Sequence, residues 1–133
     1  MKDVNETQNV LVDYPIIADQ ERKIAPLYGM LDKSNLFNGG LPLTVRSAFI
    51  IDPEKTIRLI LAYPISCGRN FDEILRVIDS LQLTSYETVA TPANWKKGED
   101  VIISPCLSDE DAVKKFGEFR RIKSYLRYTH YPK

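Results

Sequence analysis

Two apolar runs separated by four turn residues constrain the fold of this chain more than anything else in it. Residues 44–51 (TVRSAFII) and 56–63 (TIRLILAY) are dense in Val, Ile, Leu, Phe and Tyr. Asp52-Pro53-Glu54-Lys55 between them suits a reverse turn, with Pro53 presetting φ at its second position. An antiparallel hairpin is expected. Its strands barely alternate, and strands of that kind are generally covered on both faces, so helices should lie over this sheet.

The clearest helix begins after Asn70, where Phe71, Ile74, Leu75, Ile78 and Leu81 form an apolar stripe at helical spacing. Asn70 is placed to cap the first amides, and Asp72 and Glu73 face the positive end of the helix dipole. A second helix is expected over residues 109–116, with Ser108 and Asp111 at capping-box spacing and Gly117 as its stop. A weaker one runs from Asp19 towards Tyr28, shortened or kinked by Pro26. Residues 101–104 and 124–128 read as short strands. The order is helix, strand, strand, helix and a mixed tail, which suits an α/β sandwich. A free-standing version would leave an apolar edge and a bare sheet face, so part of this sheet is expected to be absent.

Composition narrows the function classes. The 18 Lys and Arg cancel the 18 Asp and Glu, so no charge bias calls for nucleic acid or an anionic membrane. No apolar run approaches the length of a spanning helix. The first residues, MKDVNETQNVLVDYP, have neither the basic start nor the apolar core of a signal peptide, and a cytoplasmic location is expected. There Cys67 and Cys106 would remain thiols. With 2 Cys and 1 His, a Cys/His zinc site is not expected, nor a cofactor.

Few residues offer chemistry. Arg46 interrupts an apolar strand, either as a solvated margin residue or as a guanidinium aimed at an anion. Arg69, in Ser66-Cys67-Gly68-Arg69-Asn70, precedes the strongest helix, where backbone amides favour an anion. A surface arginine beside a cap is the plainer alternative. Cys67 would be acidified in that setting, or simply fills a tight turn. Cys106 has no activating neighbour in sequence, and His130 is expected in solvent, tied to neither thiol. Lys114, Lys115, Arg120, Arg121, Lys123 and Arg127 make a late basic cluster, read as a solvated edge or a surface for an acidic partner. Trp95 and the tyrosine cluster of Tyr125, Tyr128 and Tyr131 read as packing or interface residues.

Five segments share a resemblance: YPIIADQERKIAPLYGMLD, GLPLTVRSAFIIDPEKTIRLILAYP, GRNFDEILRVIDSLQLT, VATPANWKKGEDVIISP and YLRYT. They resemble the one-cysteine peroxiredoxins, thioredoxin-fold thiol peroxidases with a C-terminal dimerisation extension. The resemblance covers nearly the whole chain in unbroken order. It implies an α/β, thioredoxin-like fold, truncated at its N-terminus, with residues 1–82 as the later part of the thioredoxin-like domain and residues 83–133 as the extension.

By that resemblance Arg46 matches the strand arginine that stabilises the thiolate and polarises the peroxide. Arg69, in GRNFDE, matches the second arginine of the same pocket. The family's nucleophile lies in a P-x-x-x-T-x-x-C segment, which does not occur here. Cys67 falls where the family has Thr or Ser, and Met1 matches an internal position, so the chain is expected to be the later portion of a longer protein. Some members also carry a phospholipase activity. Its hairpin acid is matched by Glu54 rather than Asp, and its other residues have no counterpart here, so that activity is not carried over. The resemblance further implies peroxide as the parent's substrate, an external glutathione-type thiol as reductant, and a homodimer formed through the extension.

Overall fold

The computed structural model describes residues 2–36 and 42–132. Its elements in chain order are α1 (Lys2–Gln8), α2 (Ile24–Leu27), β1 (Leu31–Leu36), β2 (Pro42–Thr44), β3 (Arg46–Ile51), β4 (Ile57–Tyr63), α3 (Phe71–Tyr86), β5 (Val89–Ala90), β6 (Val101–Ile103), α4 (Asp109–Phe116), β7 (Arg120–Lys123) and β8 (Leu126–Thr129). The chain divides into two compact units, residues 1–46 and 47–133. Gly40 and Leu41, which open one of the segments quoted above, lie outside the described residues.

In the first unit the helix expected from Asp19 is only four residues long. Pro26 has no amide to give, which confines it to a first turn. Asp19 acts from a distance: its two carboxylate oxygens accept the Ile24 and Ala25 amides at 2.9 Å each. These amides, the Ile24 one first, hold its carboxyl below the ordinary carboxylate range. Gly29, at φ +63°, ends the turn, and Ala25 is buried beneath it. β1 and β2 pair antiparallel with Leu31 opposite Thr44. The single strand expected over 44–51 is thus divided, Thr44 ending β2 and Arg46 opening β3.

The second unit begins with the β3–β4 sheet. The Lys55 amide donates to the Asp52 carbonyl at 2.9 Å and the Thr56 amide to Asp52 Oδ1 at 2.8 Å, so the turn closes on Asp52 with Pro53 in second place. The expected cover on both faces is not found among the described residues. Along β4, Leu59, Leu61 and Tyr63 are half-buried while Ile57, Ile60 and Ala62 are exposed, the signature of a strand packed on one side only.

Asn70 caps α3 as expected, its side-chain oxygen accepting the Glu73 amide at 3.2 Å. The helix extends through position 82/83 to Tyr86 without a break. Its apolar stripe does not lie on one buried face. Phe71 and Leu75 are 68% and 61% exposed, Ile78 and Leu81 are half-buried, and Leu83 is buried. The helix contacts β5, and its C-terminal half faces the hairpin across an open cleft.

The remaining sheet is antiparallel in the order β5-β6-β8-β7. Ser108 Oγ accepts the Asp111 amide at 3.1 Å and donates to Asp111 Oδ2 at 2.8 Å, forming the expected cap of α4, and Gly117 stops it at φ +77°. The core lies here: Leu83, Val89, Trp95 and Val101 are buried together, with Phe116 and Tyr131 packed against them. Trp95 is 1% exposed, donates Nε1 to the Glu99 carbonyl at 3.0 Å and stacks on Tyr131 at 6.1 Å.

Candidate functional site

Arg46 is the first residue of β3, and its side chain is exposed. Arg69 follows the turn after β4 and directly precedes the α3 cap. It is half-buried, and its Nη2 donates to the Ser47 carbonyl at 3.4 Å. That bond ties the start of α3 to β3 at the residue after Arg46. Arg46 ends the first unit and Arg69 belongs to the second.

Both cysteines are free and exposed. The Cys67 amide donates to the Pro64 carbonyl at 2.9 Å within the turn leading to Arg69. The Cys106 amide bonds Ser104 Oγ at 3.3 Å. His130 is exposed and pairs through Nδ1 with Asp100 at 2.9 Å, away from both thiols in the bonding pattern.

An open cleft of about 610 Å³ lies between the hairpin turn and the C-terminal half of α3, lined among others by Ile51, Glu54, Ile78 and Tyr86. Neither arginine lines it. Its walls are mainly apolar, and the one cation on it, Arg58, is already paired with Asp52 at 3.3 Å. The arginines therefore stand as the chemical candidates and the cleft as a separate feature.

The structure alters the reading of the late basic cluster. Arg127 does not belong to a solvated edge: it is 3% exposed. Its Nη2 donates to the carbonyls of Ser104 and Leu107 at 2.8 and 2.7 Å, and its Nη1 meets Asp109 at 2.7 Å. Arg121 binds the other carboxylate oxygen of Asp109. Arg121, then Arg127, hold the Asp109 carboxyl below its ordinary range. The signal available in sequence was parity, since residues 127 and 129 alternate inward on β8 while the more apolar Leu126 and Tyr128 are less buried.

A clasp between α3 and the Trp95 loop was also missed. Glu73 binds Arg76 at 2.6 Å, Arg76 Nη1 reaches the Trp95 carbonyl at 3.5 Å, and Lys97 binds Asp79 at 2.7 Å. Hydrogen bonding to Arg76 holds the Glu73 carboxyl down, and hydrogen bonding to Asp79 raises the Lys97 ammonium. A further link joins Ser80 Oγ to Thr91 Oγ1 at 2.6 Å.

Comparison with known proteins supplies the family. A model of the C-terminal domain of 1-Cys peroxiredoxin matches residues 80–118, and one of the AhpC/TSA family matches residues 1–60. The chain is 53% identical over 133 residues to a 1-Cys peroxiredoxin of Dictyostelium discoideum, covering 99% of this chain and 54% of that protein. It is 50% identical over 131 residues to a mitochondrial peroxiredoxin of Saccharomyces cerevisiae, covering 97% of this chain and 49% of that one. A solved structure of a cysteine-to-serine mutant of peroxiredoxin 6 from Arenicola marina matches with a TM-score of 0.92 at 45% identity, over 99% of this chain and 63% of that one. The chain thus spans about half the length of the curated relatives it matches. Its fold is the corresponding part of the thioredoxin-like peroxiredoxin fold, and the chain belongs to the one-cysteine peroxiredoxin family.

Proposed function

We propose that this chain supplies the arginine-bearing portion of a thiol peroxidase that reduces hydrogen peroxide and organic hydroperoxides, in antioxidant defence and redox homeostasis. The observation that carries the reading is Arg69, half-buried, bonded to the Ser47 carbonyl and set just ahead of the α3 cap. A guanidinium held there is preorganised for an anion, because it pays no ordering cost when the anion arrives. Arg46, at the head of β3, is the second cation in this reading. In the reaction a cysteine thiolate attacks one peroxide oxygen, the O–O bond breaks, and water or an alcohol leaves after taking up a proton. The cysteine becomes a sulfenic acid. The arginines lower the thiolate pKa and stabilise the charge developing on the leaving oxygen.

The attacking cysteine is not in this sequence, so the chain by itself is expected to be inactive. Completing the cycle calls for an external glutathione-type thiol. The solved yeast mitochondrial relative, 51% identical here, is described as resolved through glutathione and thioredoxin systems. We assign residues 1–82 to the peroxidase domain and residues 83–133 to an extension that pairs two subunits, and a reducing cytoplasm as the working location. No helix among the described residues is long and apolar enough to cross a membrane.

The test is peroxide consumption in the presence of a thiol reductant. The chain alone should show no turnover. If the transcript upstream of Met1 encodes an in-frame P-x-x-x-T-x-x-C segment, the extended protein should turn over peroxide, and Arg46→Ala or Arg69→Ala in it should lower kcat/KM by roughly 10²-fold. Turnover by the chain alone, or arginine variants as active as the parent, would overturn the assignment.

A second reading is a non-enzymatic subunit that pairs with intact peroxiredoxin and modulates it. The observation that favours it is the core carried within residues 83–131, which lets this part persist as a folded body. Mixing the chain with an intact relative and following co-sedimentation and peroxidase rate decides it: no co-sedimentation and an unchanged rate exclude this role.

A further inference from the structure

The final fifteen residues, Phe119 to Lys133, contain five Lys and Arg and no Asp or Glu. Arg127 is consumed by the interior, but Arg120, Arg121 and Lys123 lie on β7, the outermost strand of its sheet, and every residue of β7 is exposed. The strand leads into a two-residue turn formed by Ser124 and Tyr125, both exposed. The register shifts between Arg121 and Lys123, so the last part of β7 departs from regular pairing. The Ser124 hydroxyl makes no hydrogen bond, and Lys123 no ion pair, among the described residues. Arg121 pairs with Asp109 and lies 5.8 Å over the Phe119 ring, and Arg120 stands 4.0 Å from Asp100 and 4.9 Å over the Tyr128 ring. Exposed pairs of this kind are cheap to release.

We propose that Ser124 is a phosphorylation site for a basic-directed Ser/Thr protein kinase. Such an enzyme has an acidic cleft and takes its substrate extended, with an arginine three residues before the acceptor and an apolar or aromatic residue after it. Arg121-Ile122-Lys123 presents the upstream part of that pattern on an exposed edge strand, and Ser124 and Tyr125 follow it in the exposed turn. The charge of β7, which guards a sheet edge against pairing, is thereby also its recognition handle. Ser124 Oγ attacks the γ-phosphorus of ATP, the bond to the ADP oxygen breaks, the hydroxyl proton passes to the kinase base, and ADP leaves. The product is a phosphoserine bearing close to two negative charges beside Lys123 and Arg121, where charge-assisted pairs form readily. This inference is independent of the peroxidase reading.

The experiment incubates the full chain with MgATP and the catalytic subunit of a cyclic-AMP-dependent type kinase, and maps phosphate by fragmentation mass spectrometry. One phosphate at Ser124 is expected, absent from Ser124→Ala. Arg121→Ala should slow the reaction at least tenfold. Asp109→Asn removes the same ion pair but leaves the arginine free, and should react no more slowly than the parent. This variant separates recognition from folding. No phosphate on Ser124, equal incorporation into Ser124→Ala, or an Asp109→Asn variant as slow as Arg121→Ala would each overturn the proposal.

Discussion

The two sheets of the second unit solve the same burial problem with opposite success. The β3–β4 hairpin is the more apolar in sequence, yet none of its residues is fully buried, and Ile57 and Ile60 stand in solvent. The β5-β6-β8-β7 sheet is shorter-stranded and far more charged, yet Val101 and Ile103 are sealed and Trp95 beside them is 1% exposed. What differs is enclosure rather than hydrophobicity. The charged sheet is met by α3, α4 and the Trp95 loop, whereas among the described residues the hairpin is packed on one side only. The core sits in the tail, among Leu83, Val89, Trp95 and Val101.

The largest test of this contrast is Trp95→Ala, which should cost about 3–5 kcal/mol in urea unfolding. Ile60→Ala, at a position 53% exposed, should cost no more than about 0.5 kcal/mol. Equal costs would abolish the distinction between the sheets. Next comes Arg127→Ala, expected to lose about 1–3 kcal/mol because it strips the Ser104 and Leu107 carbonyls of their donor. Arg127→Lys should recover little, since one ammonium cannot reproduce the forked geometry.

The pH dependence of the charged sheet should follow Asp109. Its carboxyl is held down by Arg121 and Arg127 in the folded chain, so its contribution is present above the ordinary carboxylate value of 3.8 and is lost as pH falls through the lower folded value. Acid unfolding monitored by tryptophan fluorescence should begin at higher pH in Asp109→Asn, and identical profiles would remove Asp109 from the account. On the hairpin side, Ile57→Lys should reduce self-association in sedimentation without lowering the unfolding midpoint, because that position is already in water. The smallest effect is expected at Lys55, at φ +65° in the hairpin turn: Lys55→Gly should stabilise by about 0.5 kcal/mol in the same urea assay, relief of the left-handed backbone being partly offset by chain entropy.

What was legible in sequence was what is decided within a few residues. The Asp52–Lys55 turn, the Asn70 cap, the Ser108 side-chain cap and the Gly117 stop all form as their spacing requires, because donor and acceptor there lie three or four residues apart. Family membership was legible too, since it resides in residue order, and with it Arg46 and Arg69 as candidates. The short strands β1, β2, β5 and β7 were not, since two to six residues carry too little periodicity to outweigh their neighbours.

Which face is buried was not legible either, and Arg127 shows why. Its alternation with Thr129 on β8 is a sequence property, but the value of an inward arginine depends on the orphaned carbonyls of Ser104 and Leu107, some twenty residues away. The same holds for α3, whose stripe marks a helix but not which of two neighbours covers each turn. Sequence alone determined the local hydrogen bonds and the family, and nominated Arg46 and Arg69 as candidates. Only the tertiary structure decided where the core sits and which charges are structural, because burial and long-range pairing depend on what is brought alongside.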